Sequence, residues 1–314
     1  MKWICAAAAC LVAGLSLIVS VGLSKGFSSL QLGWGKQEVL QPVNITVNEA
    51  FHSLDIEMSS SDVMLCLSPD GSCSVLAGES ENVVTDVAVK NGVLTIRREY
   101  KKNNLWTTGD DSVTVFLPEE AYRSLRIETT SGNIDAMLDL RWEEAALSAS
   151  SGDIRYRGSV EGPLTINTTS GEMLIKDTDC EMLSLQSTSG SITVNGLRCE
   201  QLQTVSTSGD QILFEVTGGS LKASATSGEF ELRRVSLSGP AEISATSGDV
   251  ELDRVDARSF RIETSSGEVT GSVLRPMRFV CKTSSGEIRV PEDDPAGGEF
   301  NVSTTSGDIR IEIA

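Results

Sequence analysis

The amino-acid sequence predicts an all-β protein, a parallel single-chain β-solenoid (β-helix) of about ten 19–20-residue coils, and three observations support this prediction. Ten Ser-Gly dipeptides between residues 131 and 307 follow one another at steps of 19 to 21 residues. Apolar residues alternate with other residues on both sides of each dipeptide, which is the period of a strand rather than of a helix. A degenerate copy of the same pattern occurs earlier in the chain.

The chain begins with an uncharged apolar segment from Trp3 to Leu23, with one lysine on either side of it. A membrane-spanning helix needs roughly 20 such residues, whereas the apolar part of a secretory signal has about 7–15. We therefore predict that residues 1–25 form one uncleaved transmembrane helix of a single-pass cell-membrane protein, with the C-terminal domain extracytoplasmic. A cleaved signal ending at Ser24 and a lipoprotein processed at Cys10 are the alternatives, and both also export the remainder.

Residues 26–44 are predicted to be a tether, and residues 45–120 an irregular N-terminal β cap that includes the first coils. Within the cap, Asn91-Gly92 separates two apolar runs, which predicts a β-hairpin. The segment Leu54–Val63 keeps its apolar and acidic positions in phase with Leu125–Ile134, although a serine replaces the glycine. We therefore expect a degenerate coil within the cap.

Residues 121–314 form the regular Ser-Gly repeat, in which each dipeptide is predicted to be a corner between an entering and a leaving strand. Glycine suits such a corner because it lacks a side chain where coils crowd together and tolerates positive φ. The serine is expected to hydrogen-bond nearby backbone groups. One coil breaks two apolar columns with Thr204 and Gln211, and there we expect bulges that bring Val205 and Ile212 into the core.

A column of carboxylates follows the corners, two residues after the serine, in eight of the ten coils. Neighbouring strands lie roughly 4.8 Å apart, so these acids form a line along one edge of the solenoid. The favoured interpretation is a solvated edge whose acids cap corner amides. The alternative is divalent cation binding between coils. The candidate residues are Asp153, Glu172, Asp210, Glu229, Asp249, Glu268, Glu287 and Asp308.

Five of the seven cysteines lie beyond the apolar segment, so at least one exported thiol has no partner within the chain. Cys66 and Cys73 flank a turn composition and are expected to face each other across a hairpin, where a disulfide and two reduced thiols are both open alternatives. Cys180 and Cys199 occupy one column in adjacent coils. A disulfide is the less favoured alternative there, because parallel neighbours often orient badly for it.

The composition argues against several classes of function. The chain has 44 acidic and 26 basic side chains and a net charge of −18, so neither nucleic acid nor an anionic lipid surface is an expected partner. A single histidine leaves little for general-base or metal-assisted chemistry. We predict no catalytic residue, no cofactor and no enzymatic activity.

The sequence ends on the strand that leaves the last corner, at Ile311–Ala314, without a polar capping segment. An open solenoid end can act as a template for another strand. We therefore expect the C-terminal coil to be covered by a partner or to self-associate end to end with a second copy.

Four motifs follow one another in a fixed order: Phe51–Glu57, Asn91–Ile96, Val113–Glu119 and Leu125–Gly132. This succession resembles the bacterial DUF4097 family, whose members are regarded as adhesins, over roughly residues 45–314. The resemblance implies a β-solenoid displayed on the cell envelope, and some relatives accompany envelope-stress signalling genes. It brings no catalytic motif.

Two functions follow as hypotheses. The first is a non-enzymatic, membrane-anchored extracytoplasmic solenoid that acts as a surface binding scaffold for an unknown protein or glycan ligand. The second is an envelope-stress or regulatory component that contacts other membrane proteins of the same cell. A glycan-active enzyme would need paired carboxylates in a cleft, and the acid column offers no aromatic platform beside it.

Overall fold

A computed structural model describes residues 37–101 and 106–314, and the regular secondary structure in these ranges consists of β-strands. The predicted transmembrane helix at residues 1–25 and most of the predicted tether lie outside the described residues. Within the described ranges, no helix has the length and apolar character needed to cross a membrane. The strands wind into a parallel β-solenoid of about ten turns, which confirms the predicted fold class for this part of the chain.

Nine strands precede the regular array and form its N-terminal cap. They are β1 (Gln37–Val39), β2 (Gln41–Val47), β3 (Ser53–Met58), β4 (Val63–Leu67), β5 (Cys73–Glu79), β6 (Val83–Lys90), β7 (Val93–Tyr100), β8 (Trp106–Thr108) and β9 (Val113–Leu117). Strands β1 and β8 pair with each other in a separate two-stranded sheet, and the others join the solenoid.

The regular array comprises the remaining strands, and in its first half one long strand spans most of a coil. They are β10 (Ala121–Thr129), β11 (Ile134–Ala149), β12 (Ile154–Ser170), β13 (Met173–Ser189), β14 (Ile192–Ser208), β15 (Gln211–Ser227), β16 (Phe230–Arg233), β17 (Ser236–Leu237), β18 (Pro240–Ser247), β19 (Val250–Val255), β20 (Ser259–Glu263), β21 (Val269–Val273), β22 (Arg278–Ser285), β23 (Ile288–Arg289), β24 (Glu299–Ser306) and β25 (Ile309–Ile313).

Neighbouring coils pair in parallel, and from β13 to β15 they are in register, so that equivalent residues stack directly on one another. The pairing of β12 with β13 has register shifts after Arg157 and after Val160. The paired ladder between β13 and β14 is interrupted at the Ser-Gly corner, at Asp177 and at Glu181. Asp177 has a positive φ of 42°, and the equivalent residues of the following coils share this left-handed backbone. They are Gly196, Glu215, Arg234 and Arg254. These interruptions divide each coil into three short faces.

The inward columns form one continuous hydrophobic core along the stack. In the column six residues before the corner serine, Leu183, Leu202 and Leu221 are at most 2 % exposed. On the other side of the corner, Ile192 is fully buried. Burial of one such side chain contributes about 1.5–3 kcal/mol, so the predicted alternation supplies the stacking energy of each coil.

The coil with two polar residues in inward columns contains no bulge, which corrects the sequence-based expectation. Thr204 pairs in register with Leu185, and Gln211 with Ile192, and both polar side chains are 0 % exposed. Their side chains hydrogen-bond to each other. The Gln211 amide also donates to Ser206 Oγ and to the Ser224 carbonyl oxygen, both at 2.9 Å. Because these groups satisfy one another, the ladder keeps its register.

The degenerate coil is confirmed, and it packs against the first regular coil. Strand β3 pairs with β10 so that Leu54 lies beside Leu125 and Ile56 beside Ile127. On its other side β3 pairs with β7, while β4 lies between β11 and β9. The coil formed by β3 and β4 is therefore inserted one position inward from the N-terminal end of the stack.

Antiparallel strands close this end. Strands β6 and β7 form the predicted hairpin around Asn91 and Gly92, whose φ angles of 54° and 77° suit the tight turns preferred in hairpins. Strand β5 pairs antiparallel with both β2 and β9. Since β9 lies between β4 and β5, the hairpin expected around Cys66 and Cys73 is wrong: Cys66 lies beside Phe116, and Cys73 lies beside Val47.

The C-terminal coil is not the end of the stack, which corrects the expectation of an open terminal coil. Strand β24 lies between β20 and β22, and β25 lies between β21 and β23. The outermost coil consists of β22 and β23 instead. Strand β23 has two residues and β25 has five, so placing the better-formed coil inside gives it two neighbours and buries more apolar surface.

The loop between β23 and β24 lies across this outer coil. Asp293 Oδ1 accepts a hydrogen bond from the Phe279 amide at 2.7 Å. The Asp294 amide donates to the Met277 carbonyl oxygen at 3.0 Å. An acidic loop that contains prolines protects an edge strand against pairing with another chain. The loop thus covers the outer coil at Met277 and Phe279, whereas Ile288 in β23 is exposed.

Candidate functional site

The Ser-Gly corners stack so closely that only glycine fits. A Cβ atom built on Gly171 would lie 2.6 Å from the carbonyl carbon of Gly152 and closer still to its oxygen. The same crowding recurs from corner to corner along the array, and at Gly209 φ is also positive, at 124°. The prediction that the glycines permit crowding of the coils is consistent with this geometry.

Hydroxyl groups support these corners, but they belong to residues two positions before the corner serine. Ser187 Oγ donates to the Gly190 carbonyl oxygen at 3.1 Å, and Thr283 Oγ1 donates to the Gly307 carbonyl oxygen at 3.0 Å. The corner serines themselves, such as Ser189, are largely exposed. The expected structural hydrogen bond therefore comes from an inward residue, because its side chain points toward the crowded backbone.

The acid column caps the corner amides across coils. An aspartate oxygen accepts a hydrogen bond from the backbone amide of the equivalent residue in the neighbouring coil. The amide–oxygen distances are 2.9 Å for Glu172 to Asp153, 3.0 Å for Glu229 to Asp210, 2.8 Å for Glu268 to Asp249 and 2.7 Å for Glu287 to Asp308. This arrangement supports the interpretation of the column as a capped edge.

Basic residues supply further partners for the column. Arg310 lies within ion-pair distance of Glu268 and Asp308, and Arg289 is 2.9 Å from Glu287. Within residues 37–101 and 106–314, no three histidine, cysteine or carboxylate groups are placed so that they could hold a metal ion. At the corners these aspartates accept hydrogen bonds from backbone amides.

Substitutions of Asp249 distinguish the role of its carboxylate as a hydrogen-bond acceptor from the effect of its negative charge. Asp249→Ala is expected to lower the free energy of unfolding by about 1 kcal/mol, because the amide of Glu268 loses its acceptor. Asp249→Asn should change it by less than about 0.5 kcal/mol. Asparagine can replace aspartate here because Asn133 Oδ1 accepts the amide of Asp153 in the same way, at 2.9 Å.

Urea unfolding of the two variants, with and without Ca²⁺, checks this expectation. Glu229→Ala is the matched control, since no corner amide in the described solenoid donates to that carboxylate. If Asp249→Asn were as damaging as Asp249→Ala, or if Ca²⁺ stabilised only the parent chain, the carboxylates would act through charge or a cation rather than as acceptors.

A shallow groove runs along the face that follows the left-handed corner and has a volume of about 690 Å³. Arg141, Asp179 and Arg198 line it together with acids of the next corner, and Arg198 is 3.4 Å from Asp179. A smaller depression of about 360 Å³ adjoins it and shares Arg141 and Ser159. This groove was missed in the sequence. The feature of the sequence that could have indicated the groove is Gly218, because it leaves one position of an inward column without a side chain.

Cys180 and Cys199 border this groove and are directly paired between β13 and β14, which places them in the shared column that the sequence indicated. Burial raises the pKa of each thiol to about 12, and proximity to Cys199 adds to the shift at Cys180. Cys281 is half-buried, and burial raises its thiol pKa to about 11.

The single histidine offers no evident catalytic arrangement. His52 Nδ1 lies 3.0 Å from the hydroxyl of its neighbour Ser53. The other edge of the ring packs against Gly92, where even an added Cβ would collide with Nε2. The ring is thus held against the turn between β6 and β7.

These features define a class of protein: a parallel β-solenoid with crowded glycine corners and an acid-capped edge. The Toastrack DUF4097 family model matches residues 51–312. The chain belongs to that family, as its motifs indicated. No curated protein matches the chain.

One of the similar solved structures supports this fold. A candidate adhesin from Parabacteroides distasonis ATCC 8503 has a TM-score of 0.58 at 18% sequence identity, covering 75% of this chain and 100% of its own. A candidate adhesin from Parabacteroides merdae ATCC 43184 has a TM-score of 0.49 at 16% identity, covering 88% of this chain and 100% of its own. At such identities the first of these likenesses supports the fold alone.

Proposed function

We propose that this protein is a non-enzymatic, extracytoplasmic binding scaffold of the cell surface, held in the membrane by residues 1–25. The observation that carries the proposal is the division of its surface. At one end of the described solenoid antiparallel strands, and at the other a return loop, pack against the outermost coils, while the long sides are open to solvent. Membership of the Toastrack family and the fold likeness to a candidate adhesin support the same class.

The charge on the long sides of the solenoid restricts the classes of ligand that can bind there. The chain carries a net charge of −18, and a line of carboxylates runs along one edge. A polyanion such as nucleic acid would be repelled by that field. The groove presents guanidinium and carboxylate groups together, which suits a polar protein or glycan surface with both hydrogen-bond donors and acceptors.

Crosslinking on intact native cells, followed by identification of what is attached to the full chain, tests this proposal. A scaffold for external ligands should be recovered with wall polymer or with an external surface component, and the purified protein should then bind that component. Repeated recovery of one set of the cell's own membrane proteins, without external binding, would overturn it. That result would favour the envelope-stress or regulatory function.

A further inference from the structure

Cys180 and Cys199 are the one pair of cysteines in the described part of the chain that face each other in neighbouring strands. Because the strands are in register, their Cα atoms are separated by the spacing of adjacent strands, roughly 4.8 Å. Disulfides accept Cα distances of about 4.4–6.8 Å. The backbone therefore already holds the two residues within bonding range.

The surroundings give the pair both room and access. In the shared inward column, Cys180 follows Val160, and Cys199 is followed by Gly218, which has no side chain. A disulfide brings the two Cβ atoms to about 3.8 Å, which requires a local approach of roughly 1 Å. Cys199 can make that approach without losing a side-chain contact to Gly218. Both cysteines also line the groove, which is open to solvent.

We propose that Cys180 and Cys199 are a redox modification site, at which a reversible disulfide joins two middle coils beneath the groove. A small disulfide such as oxidised glutathione supplies the oxidising equivalents. The thiolate of Cys180, the more exposed residue, attacks one glutathione sulfur and releases one glutathione thiolate. The sulfur of Cys199, after losing its proton, attacks the mixed disulfide and releases the second. Two protein thiols are oxidised, and two glutathiones carry away both protons.

Burial sets the rate of this reaction. The raised pKa values of both thiols keep the thiolate fraction small near neutral pH, so the pair is expected to react slowly and to react faster as pH rises. Asp179, Glu181 and Glu200 face the same groove and disfavour the thiolate, whereas Arg141 and Arg198 favour it. The half-buried Cys281 should be modified first.

The test is to incubate the reduced full chain with oxidised glutathione and to map cysteines by mass spectrometry without reduction. We expect peptides containing Cys180 and Cys199 to be joined. The midpoint of thermal unfolding should rise by roughly 5 °C, because the bond closes a loop between adjacent coils. Cys180→Ala and Cys199→Ala should each abolish both effects. Cys281→Ala is the matched control and should abolish neither.

Separate glutathione adducts on Cys180 and Cys199, or two free thiols after Cys281 has fully reacted, would overturn the proposal. The mapping uses the unsubstituted chain, so the result does not depend on whether a variant folds. The inference also does not depend on the proposed surface function, since disulfide formation is measured on the isolated protein.

Discussion

Gly171→Ala is expected to lower the free energy of unfolding by roughly 3–4 kcal/mol, an unusually large loss for the addition of one methyl group. The new Cβ would lie 2.6 Å from the Gly152 carbonyl carbon. The colliding atoms belong to the backbone of the next coil, so no side chain can rotate away. Relief would require β12 and β13 to separate locally, and their ladder of hydrogen bonds opposes that movement.

Urea unfolding followed by far-UV circular dichroism measures this loss, with Gly71→Ala as the matched control. Gly71 has a positive φ of 78° but no atom within 4 Å of an added Cβ, so its substitution should cost only about 1–2 kcal/mol. At Gly171 φ is not in the left-handed range. Equal losses in the two variants would show that crowding between coils is not the cause.

A second large effect is expected at the buried polar pair. Gln211→Ile should cost about 2–3 kcal/mol, because it leaves the Thr204 hydroxyl and the Ser224 carbonyl oxygen without their partner inside the core. Thr204→Val should cost about 1–2 kcal/mol for the same reason. The double variant should lose no more than about 1 kcal/mol, since it restores two apolar columns and removes two of the buried polar side chains.

A double-mutant cycle in urea checks this expectation. We expect the double variant to lose less free energy of unfolding than the sum of the losses in the two single variants. Strictly additive losses would contradict the hydrogen-bonded arrangement. They would instead indicate that Thr204 and Gln211 contribute independently, as they would if bulges separated them.

The repeat determines the register of each coil, and this part of the fold was predictable. Alternation of apolar residues fixes which face turns inward, and a slip of one residue would expose Leu183 and Ile192 together. The same logic identified the degenerate coil, because Leu54 and Ile56 keep the phase of the later repeats. Local turn chemistry also predicted the hairpin at Asn91-Gly92.

The order of coils at the two ends could not be predicted in this way. Phe260, Phe279 and Phe300 occupy the same column. The apolar pattern of their three repeats is therefore alike, and it does not determine the order in which these repeats stack. The structure places the Phe300 ring between the other two, with ring centroids 4.9 Å and 5.3 Å apart. Strand lengths and the return loop choose that order, and they act between segments that are distant in the sequence.

The candidate site was predictable in part for a similar reason. The carboxylates were expected to cap corner amides, but the amide that Asp153 caps belongs to another coil and is identified only once the coils are stacked. The position of Gln211 could not be predicted for the same reason: its hydrogen-bond partners are identified only once the coils are stacked. Its burial depends on hydrogen bonds to Ser206 and to the Ser224 carbonyl group in the next coil, so the apolar pattern alone favoured a bulge.

The C-terminal coil lies inside the stack with a neighbour on each side, and the coil of β22 and β23 is outermost. Hydrogen–deuterium exchange of the full chain tests this most directly. With β24 between β20 and β22, amides of residues 300–304 should exchange more slowly than those of 279–283, although they lie nearer the end of the chain. Faster exchange at 300–304 than at 279–283 would contradict the insertion and restore an open C-terminal coil available for end-to-end pairing.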